Sequence, residues 1–347
     1  MPPEPPAPYH DLGQANPNCP RGPLLPIDFE LRGENLTVLF TDLGSDALES
    51  GVGVFQQRSG RWNLKRFYSE KQIDGGLKFP HSICRTDKGF MISDTLNERV
   101  VQLFHNGKAD FQRTAGSVNE AMPEKAFGGQ GILLGKNGLN GQKVSIQFLS
   151  NNGGVVWEFF LKKDAGGNSA PWAAGLLRNN SVGCEIHNAH ILPNGNVLVA
   201  VSLISGGGAE YLIDKNKKGH IYEIGPDQRI VWQFTREDLR WPRNAIRLKN
   251  GHTLIAHSTG IWQVNMQGDV VWDFLSDDKM YNIQRLDDGT TVGVVGSEII
   301  WIPEGCRDMS CVKNRFSFHP LPLKDQENCP PLAPEMLEKI KNHPYLK

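Results

Sequence analysis

Along most of the chain, short apolar runs are separated by tight-turn residues, a pattern that predicts many short antiparallel strands rather than helices. Setting the glycines in register brings out a repeat. PHSICRTDKGFMISDT (80–95), IHNAHILPNGNVLVAV (186–201), PRNAIRLKNGHTLIAH (242–257) and YNIQRLDDGTTVGVV (281–295) each place a turn, with Gly89, Gly195, Gly251 or Gly289, between two such runs. Each segment predicts a strand, a tight turn and a second strand. A second signature follows at a distance, in GGVVWEF, QRIVWQF and GDVVWDF, ending on Trp157, Trp232 and Trp272. Gly251 to Trp272 is 21 residues and Gly195 to Trp232 is 37, and the excess of 16 is matched by an insertion at ISGGGAEYLIDKNKKG (204–219). GIWQV (260–264) and HIYEI (220–224) lie between turn and Trp, so a unit has four strands.

Four-stranded units at about 40-residue spacing predict an all-β protein, a six-bladed β-propeller of antiparallel blades. The expected blades are 33–70, 79–113, 127–161, 187–236, 243–276 and 281–318, with linkers such as NEAMPEKAFGG (119–129) between them. The expected organisation is a Pro-rich N-terminal extension (1–26), the propeller (27–320) and a C-terminal tail (321–347) with one short amphipathic helix at APEMLEKIKNH (333–343). The recurring Trp is expected to wedge between adjacent blades.

The position eight residues before each turn glycine falls near the start of the innermost strand, beside the central channel. It reads His81, His187, Arg243 and Tyr281. Two imidazoles, a guanidinium and a phenol at equivalent positions suit binding of an oxyanion or of a metal, and are the candidate catalytic group at the channel mouth. Asn188, Asn244 and His257 are candidate substrate-binding residues, as is His190, which three residues beyond His187 is expected on the opposite face of its strand.

Composition narrows the classes. The 347 residues carry 37 Lys and Arg against 38 Asp and Glu, so no net field favours nucleic acid. No apolar run is long enough to span a membrane. Motifs for serine hydrolases, nucleotides and dinucleotides are missing. Among six cysteines, Cys306 and Cys311 flank a short loop, while Cys19 and Cys329 lie near opposite ends. A loop staple and a clasp between the ends would fit a secreted or periplasmic protein whose signal has been removed.

Two resemblances follow. HNAHILPNGNVLVA with GHIYEI and IVWQF, and NAIRLKNGHTLIAH with GIWQV and VVWDF, resemble the repeats of the arylsulfotransferase-like family over roughly residues 180–300. That resemblance implies transfer of a sulfuryl group between phenols without a cofactor, with His187 or His81 as the sulfurylated group and Arg243 as the anion clamp. PHSICRTDKGFMISDTLNERVVQLF (80–104) is similar to an NHL repeat, found in propellers that include peptidylglycine lyase domains. There His81 and His187 would hold a divalent metal such as zinc or calcium, with Arg243 and Tyr281 assisting a lyase step. Three functions are therefore expected to compete: group transfer on a small anionic or phenolic substrate, a metal-dependent lyase, and a non-catalytic propeller that binds a ligand or a protein partner.

Overall fold

The computed structural model describes residues 24–42, 49–114, 117–137, 144–161, 182–205 and 219–318. Six sheets of four antiparallel strands make a six-bladed propeller, each sheet built from four consecutive strands of the chain. The blades are β1–β4 (26–69), β5–β8 (80–113), β9–β12 (117–160), β13–β16 (182–234), β17–β20 (244–275) and β21–β24 (280–317). Short 3-10 turns at Glu70–Gln72, Thr95–Asn97 and Met309–Cys311 are the only helical pieces among the described residues. The expected extension up to residue 23, the 333–343 helix, Cys19, Cys329 and residues 206–218 of the insertion lie outside the described residues.

Three expected blade starts are corrected, the fourth blade opening at Val182 rather than at 187. The first blade begins at Pro26 rather than at 33, because β1 (Pro26–Arg32) is its innermost strand. The third begins at Ser117 rather than at 127: most of the expected linker NEAMPEKAFGG (119–129) lies in β9 (Ser117–Ala126), again the innermost strand. The first and third starts were concealed by the same physics. One face of an inner strand looks into a polar channel, so Asp28 and Glu30 on β1 and Glu120 and Glu124 on β9 give these strands the polarity of a connection.

The turns are less uniform than the glycine register implies. Gly195, Gly251 and Gly289 take φ of 83°, 84° and 86° in their turns, whereas Gly89 opens β6. A side chain there would meet Leu103 O at 1.9 Å, so glycine is required by close approach of the neighbouring strand.

The Trp wedges are as expected, and they are polar at one end. Trp157, Trp232 and Trp272 donate their indole N–H to Pro226 O, Met266 O and Cys306 O, in each case a carbonyl of the next blade, at 2.9 to 3.0 Å. Cys306 and Cys311 are joined by a disulfide in that same turn of the sixth blade. The last blade meets the first through side chains: Phe55 with Phe316 and Phe318, Phe40 with Phe318, and Trp62 stacked on Trp301. Gln284 adds a two-point bond to the Leu31 backbone, at 3.0 Å to N and 2.8 Å to O.

Candidate functional site

Each inner strand enters the channel through an irregularity. Register shifts interrupt the first pairing of β1, β5, β9, β13 and β21, around Ile27, His81, Asn119, His187 and Tyr281. In the fifth blade the equivalent residue, Arg243, stands just ahead of β17 and donates its N–H to Ala256 O. A bulge re-aims a side chain without ending the strand. The residue that follows is polar in every blade: Asp28, Ser82, Glu120, Asn188, Asn244 and Asn282. These side chains stitch neighbouring blades together. Asp28 accepts from Ile83 N, Ser82 from Ala121 N and Asn188 from Ala245 N, while Asn244 donates to Asn282 and Asn282 to Asp28.

His81, His187, Arg243 and Tyr281 all line one cavity of about 350 Å³ on the axis. They stand at its inner end rather than at a mouth, since all four are buried, whereas Glu30, Cys84, Met122, Glu124, His190 and Gln284 further along the strands are half-buried. His190 lines the same cavity as His187, contrary to the expected opposite face, because the bulge at His187 shifts the alternation by one residue. Asn188 and Asn244 line it too. His257 does not: it is packed at 4.3 Å on Trp262, and its Nδ1 accepts from Thr259 N.

The carboxylate that organises the inner end is Glu185, two residues before His187. Its Oε2 lies 3.3 Å from His187 Nε2 and its Oε1 3.8 Å from His81 Nε2, and Asn119 donates to Oε1 at 2.7 Å. The two imidazoles are held in opposite tautomers. His81 Nδ1 faces Phe79 O at 3.1 Å and Thr95 Oγ1 at 2.9 Å, and that hydroxyl spends its proton on Val118 O. Both groups therefore accept, which fixes the proton on Nδ1 and leaves the Nε2 lone pair without a hydrogen-bond partner. His187 is reversed: Arg243 Nη1 donates to its Nδ1 at 2.8 Å, so its Nε2 carries the proton and faces Glu185.

Aromatic rings hold this group in place. Phe79 and Trp241, two residues ahead of His81 and Arg243, take φ of 52° and 51°, unusual for bulky residues. Phe79 meets the His81 ring edge-on at 4.4 Å, and the Arg243 guanidinium lies 4.1 Å over Trp241 and 5.3 Å over Tyr281.

Burial sets the charges. It lowers His81 to about 3, aided by Arg243, and lowers His187 well below the usual imidazole range, so both are neutral near pH 7. It raises Glu185, against the opposing pull of Arg243 and the Asn119 amide. It raises Asp28 to about 7 and Glu120 to about 8, with the Asp28 charge adding to the effect on Glu120. His190 and His257 both fall to about 4, burial first.

Zinc on His81 and His187, as the lyase resemblance implies, does not fit these residues. Among the described residues no three His, Cys, Asp or Glu side chains are placed to hold a metal ion, and the Arg243 guanidinium is bonded to one of the two imidazoles.

Asp28, Asn119, Glu120 and Glu185 are absent from the ring read by counting back from turn glycines. A signal for two of them, Asp28 and Glu120, lay in the sequence: a polar residue followed by an apolar one recurs at Asp28–Phe29, Ser82–Ile83, Glu120–Ala121, Asn188–Ala189, Asn244–Ala245 and Asn282–Ile283. Glu185 precedes that pair and has no equivalent to align it.

No family model and no curated protein matches this chain. Solved structures do. A catalytically inactive variant of virginiamycin B lyase from Staphylococcus aureus, with quinupristin, aligns over 87% of this chain and 87% of that chain at 8% identity and a TM-score of 0.52. The selenomethionine-substituted form of that enzyme aligns over the same shares at 8% identity and a TM-score of 0.51. Regucalcin, a calcium-binding protein from Agrobacterium tumefaciens, aligns over 74% of this chain and 79% of that chain at 10% identity, with a TM-score of 0.45. At such identities the likeness is one of fold, the six-bladed propeller.

Proposed function

We propose that the protein is a group-transfer enzyme that works through a covalent intermediate on His81, moving a sulfuryl group from an aryl ester to a second phenol. The observation that carries this reading is the pair of opposed tautomers. Neither Nε2 has a hydrogen-bond partner, but that of His81 is unprotonated, whereas that of His187 carries its ring's proton because Arg243 donates to Nδ1. His81 is therefore the nucleophile, and His187 is not.

In the first half-reaction His81 Nε2 bonds to the sulfur, the aryl C–O–S linkage breaks at S–O, and the departing phenolate takes the proton of Glu185, which burial favours in its neutral form. The modified imidazole is cationic, and its Nδ1–H already donates to Phe79 O and Thr95 Oγ1. The Arg243 charge offsets that on the sulfuryl oxygens. In the second half-reaction the acceptor phenol gives its proton to the Glu185 carboxylate, attacks sulfur and releases His81. The Cys306–Cys311 disulfide supports an oxidising compartment as the place of action.

The test is release of 4-nitrophenol from 4-nitrophenyl sulfate in the presence of phenol. His81→Ala is expected to lower kcat by about 10³-fold or more, and the wild-type protein quenched during turnover should carry one sulfuryl group on the His81 peptide. Equal turnover by His81→Ala, or no turnover by the wild-type protein, overturns the reading.

A further inference from the structure

One step outward from the His81 cluster, the channel wall carries acidic groups that nothing in the transfer chemistry uses. Asp28 and Glu120 are both buried, at 7% and 4% exposure, and both line the cavity. Among the described residues neither carboxylate has a Lys, Arg or His side chain within ion-pair distance. The single guanidinium lining the cavity, Arg243, is bonded to His187 and stacked on Trp241 and Tyr281. Glu30 and Glu124 add two more carboxylates toward the open end.

The same layer has an acceptor left without a donor. Asn244 uses its Nδ2 on Asn282, and Asn282 uses its own on Asp28, so the amide dipoles run one way around half of the ring. At the start of that run Asn244 Oδ1 is buried with no hydrogen-bond partner, although the residue is only 7% exposed and lines the cavity. A buried carbonyl oxygen in that state carries a desolvation cost that only a donor or a cation relieves.

We propose that Asp28, Glu120 and Asn244, within the ring they form with Asn188 and Asn282, bind a hard divalent cation, of which calcium fits best, on the channel axis. Carboxylate and amide oxygens are the donors such ions take. Two carboxylates from the first and third blades match the charge and the unpartnered Asn244 Oδ1 adds a third oxygen, while Asn188 and Asn282 brace Glu120 and Asp28 through their amide N–H groups, so the site needs no third His, Cys, Asp or Glu. The ring is irregular in composition, which a calcium ion tolerates and a magnesium ion, with its demand for octahedral geometry, does not. A cavity of about 350 Å³ leaves room for several coordinating waters. The upward pull of burial on both carboxylates is what two buried anions lacking a counter-charge would show. This site stands independently of the transfer reaction, though a bound dication would also turn a carboxylate-lined channel from repelling an anionic donor to attracting one.

The experiment is isothermal titration of the full chain, stripped with chelator, with calcium chloride and separately with magnesium chloride. One saturable calcium site per chain is expected, with weaker magnesium binding and a thermal midpoint that rises with calcium. Glu120→Gln is expected to weaken calcium binding about tenfold or more. Asn244→Ala, which leaves the charge untouched, should weaken it as well and covers the case that Glu120→Gln does not fold. His81→Ala should bind calcium like the wild-type protein, which separates failure of this site from failure of the transfer reading. No saturable uptake of calcium at up to about 10 mM, or equal uptake by wild type, Glu120→Gln and Asn244→Ala, overturns the proposal.

Discussion

At the scale of single residues, Glu185 decides whether the buried cluster is a reaction centre or a piece of packing. Glu185→Gln keeps the shape and leaves an amide oxygen for Asn119, while removing the proton that the leaving phenolate would take. Turnover of 4-nitrophenyl sulfate should fall by about 10²- to 10⁴-fold. The thermal midpoint should hold or rise, because a carboxyl group pushed up by burial is being replaced by a neutral one. An unchanged kcat would reduce Glu185 to a bracket between two rings. His257 offers the opposite case, a histidine with no part in the channel. Burial holds its folded-state pKa near 4, below the ordinary imidazole value of 6.5. The unfolded chain therefore binds the extra proton first as pH falls, and the stability this residue contributes is intact above about 6.5 and lost progressively down to about 4, about 3 kcal/mol across the window. In His257→Phe the ring stays on Trp262 but Thr259 N–H loses its acceptor, so the variant should be less stable at pH 7 by about 1–2 kcal/mol. Its denaturation midpoint should fall less steeply than that of the wild type between pH 6.5 and 4. Parallel pH profiles would show that His257 is not held neutral.

At the scale of the element, outer strands were legible in the sequence and inner strands only in part. An outer strand such as β16 (Ile230–Phe234) announces itself because Trp232 recurs at a fixed offset with an indole that must find a carbonyl on the next blade. Trp157 is the most buried of the three wedges, at 5% exposure, and also stacks at 5.0 Å on Phe127. Trp157→Ala should destabilise by about 3–5 kcal/mol, and Trp232→Ala by less, since Trp232 is half-buried; chemical denaturation of the two variants orders them. An inner strand faces water on its channel side, so the apolar pattern that marks a strand is missing from half of its positions. β5, β13, β17 and β21 were recovered because a turn glycine lay downstream, and β1 and β9 were not, because Gly33 and Gly128–Gly129 sit in different turns. The cost fell on function: the two hidden strands carry Asp28, Glu120 and Asn119. His190 shares the channel with His187 for a related reason, since alternation by twos along a strand does not survive a bulge that only the pairing register reveals.

At the scale of the whole molecule, the propeller is a ring whose sheets are all local in sequence, and no sheet mixes strands from the first and last blades. The seam between those blades therefore has no backbone-to-backbone ladder among the described residues, and one aromatic group carries much of it. Phe318, 2% exposed, meets Phe40 at 5.0 Å, Phe55 at 5.7 Å and Phe316 at 4.7 Å. Phe318→Ala should cost about 3–5 kcal/mol. A cavity of the same chemistry within the third blade, from Phe148→Ala at 1% exposure, should cost a similar amount. The two should differ in where the loss is felt. A ring opened at its seam frees the edges of the first and sixth blades while the other blades stay packed on both sides, so the opening is sub-global. Native-state hydrogen exchange on Phe318→Ala should show β1 and β24 amides losing protection ahead of those in β10 and β14, whereas Phe148→Ala should lower the protection of β10 and β11 without singling out β1. Because Asp28 and Asn282 meet across that same seam, opening it also parts the channel ring, and calcium, if it binds there, should restore protection to β1 in Phe318→Ala. Uniform loss of protection in both variants would mean that the ring unfolds as one unit and that its seam is no weaker than any other blade junction.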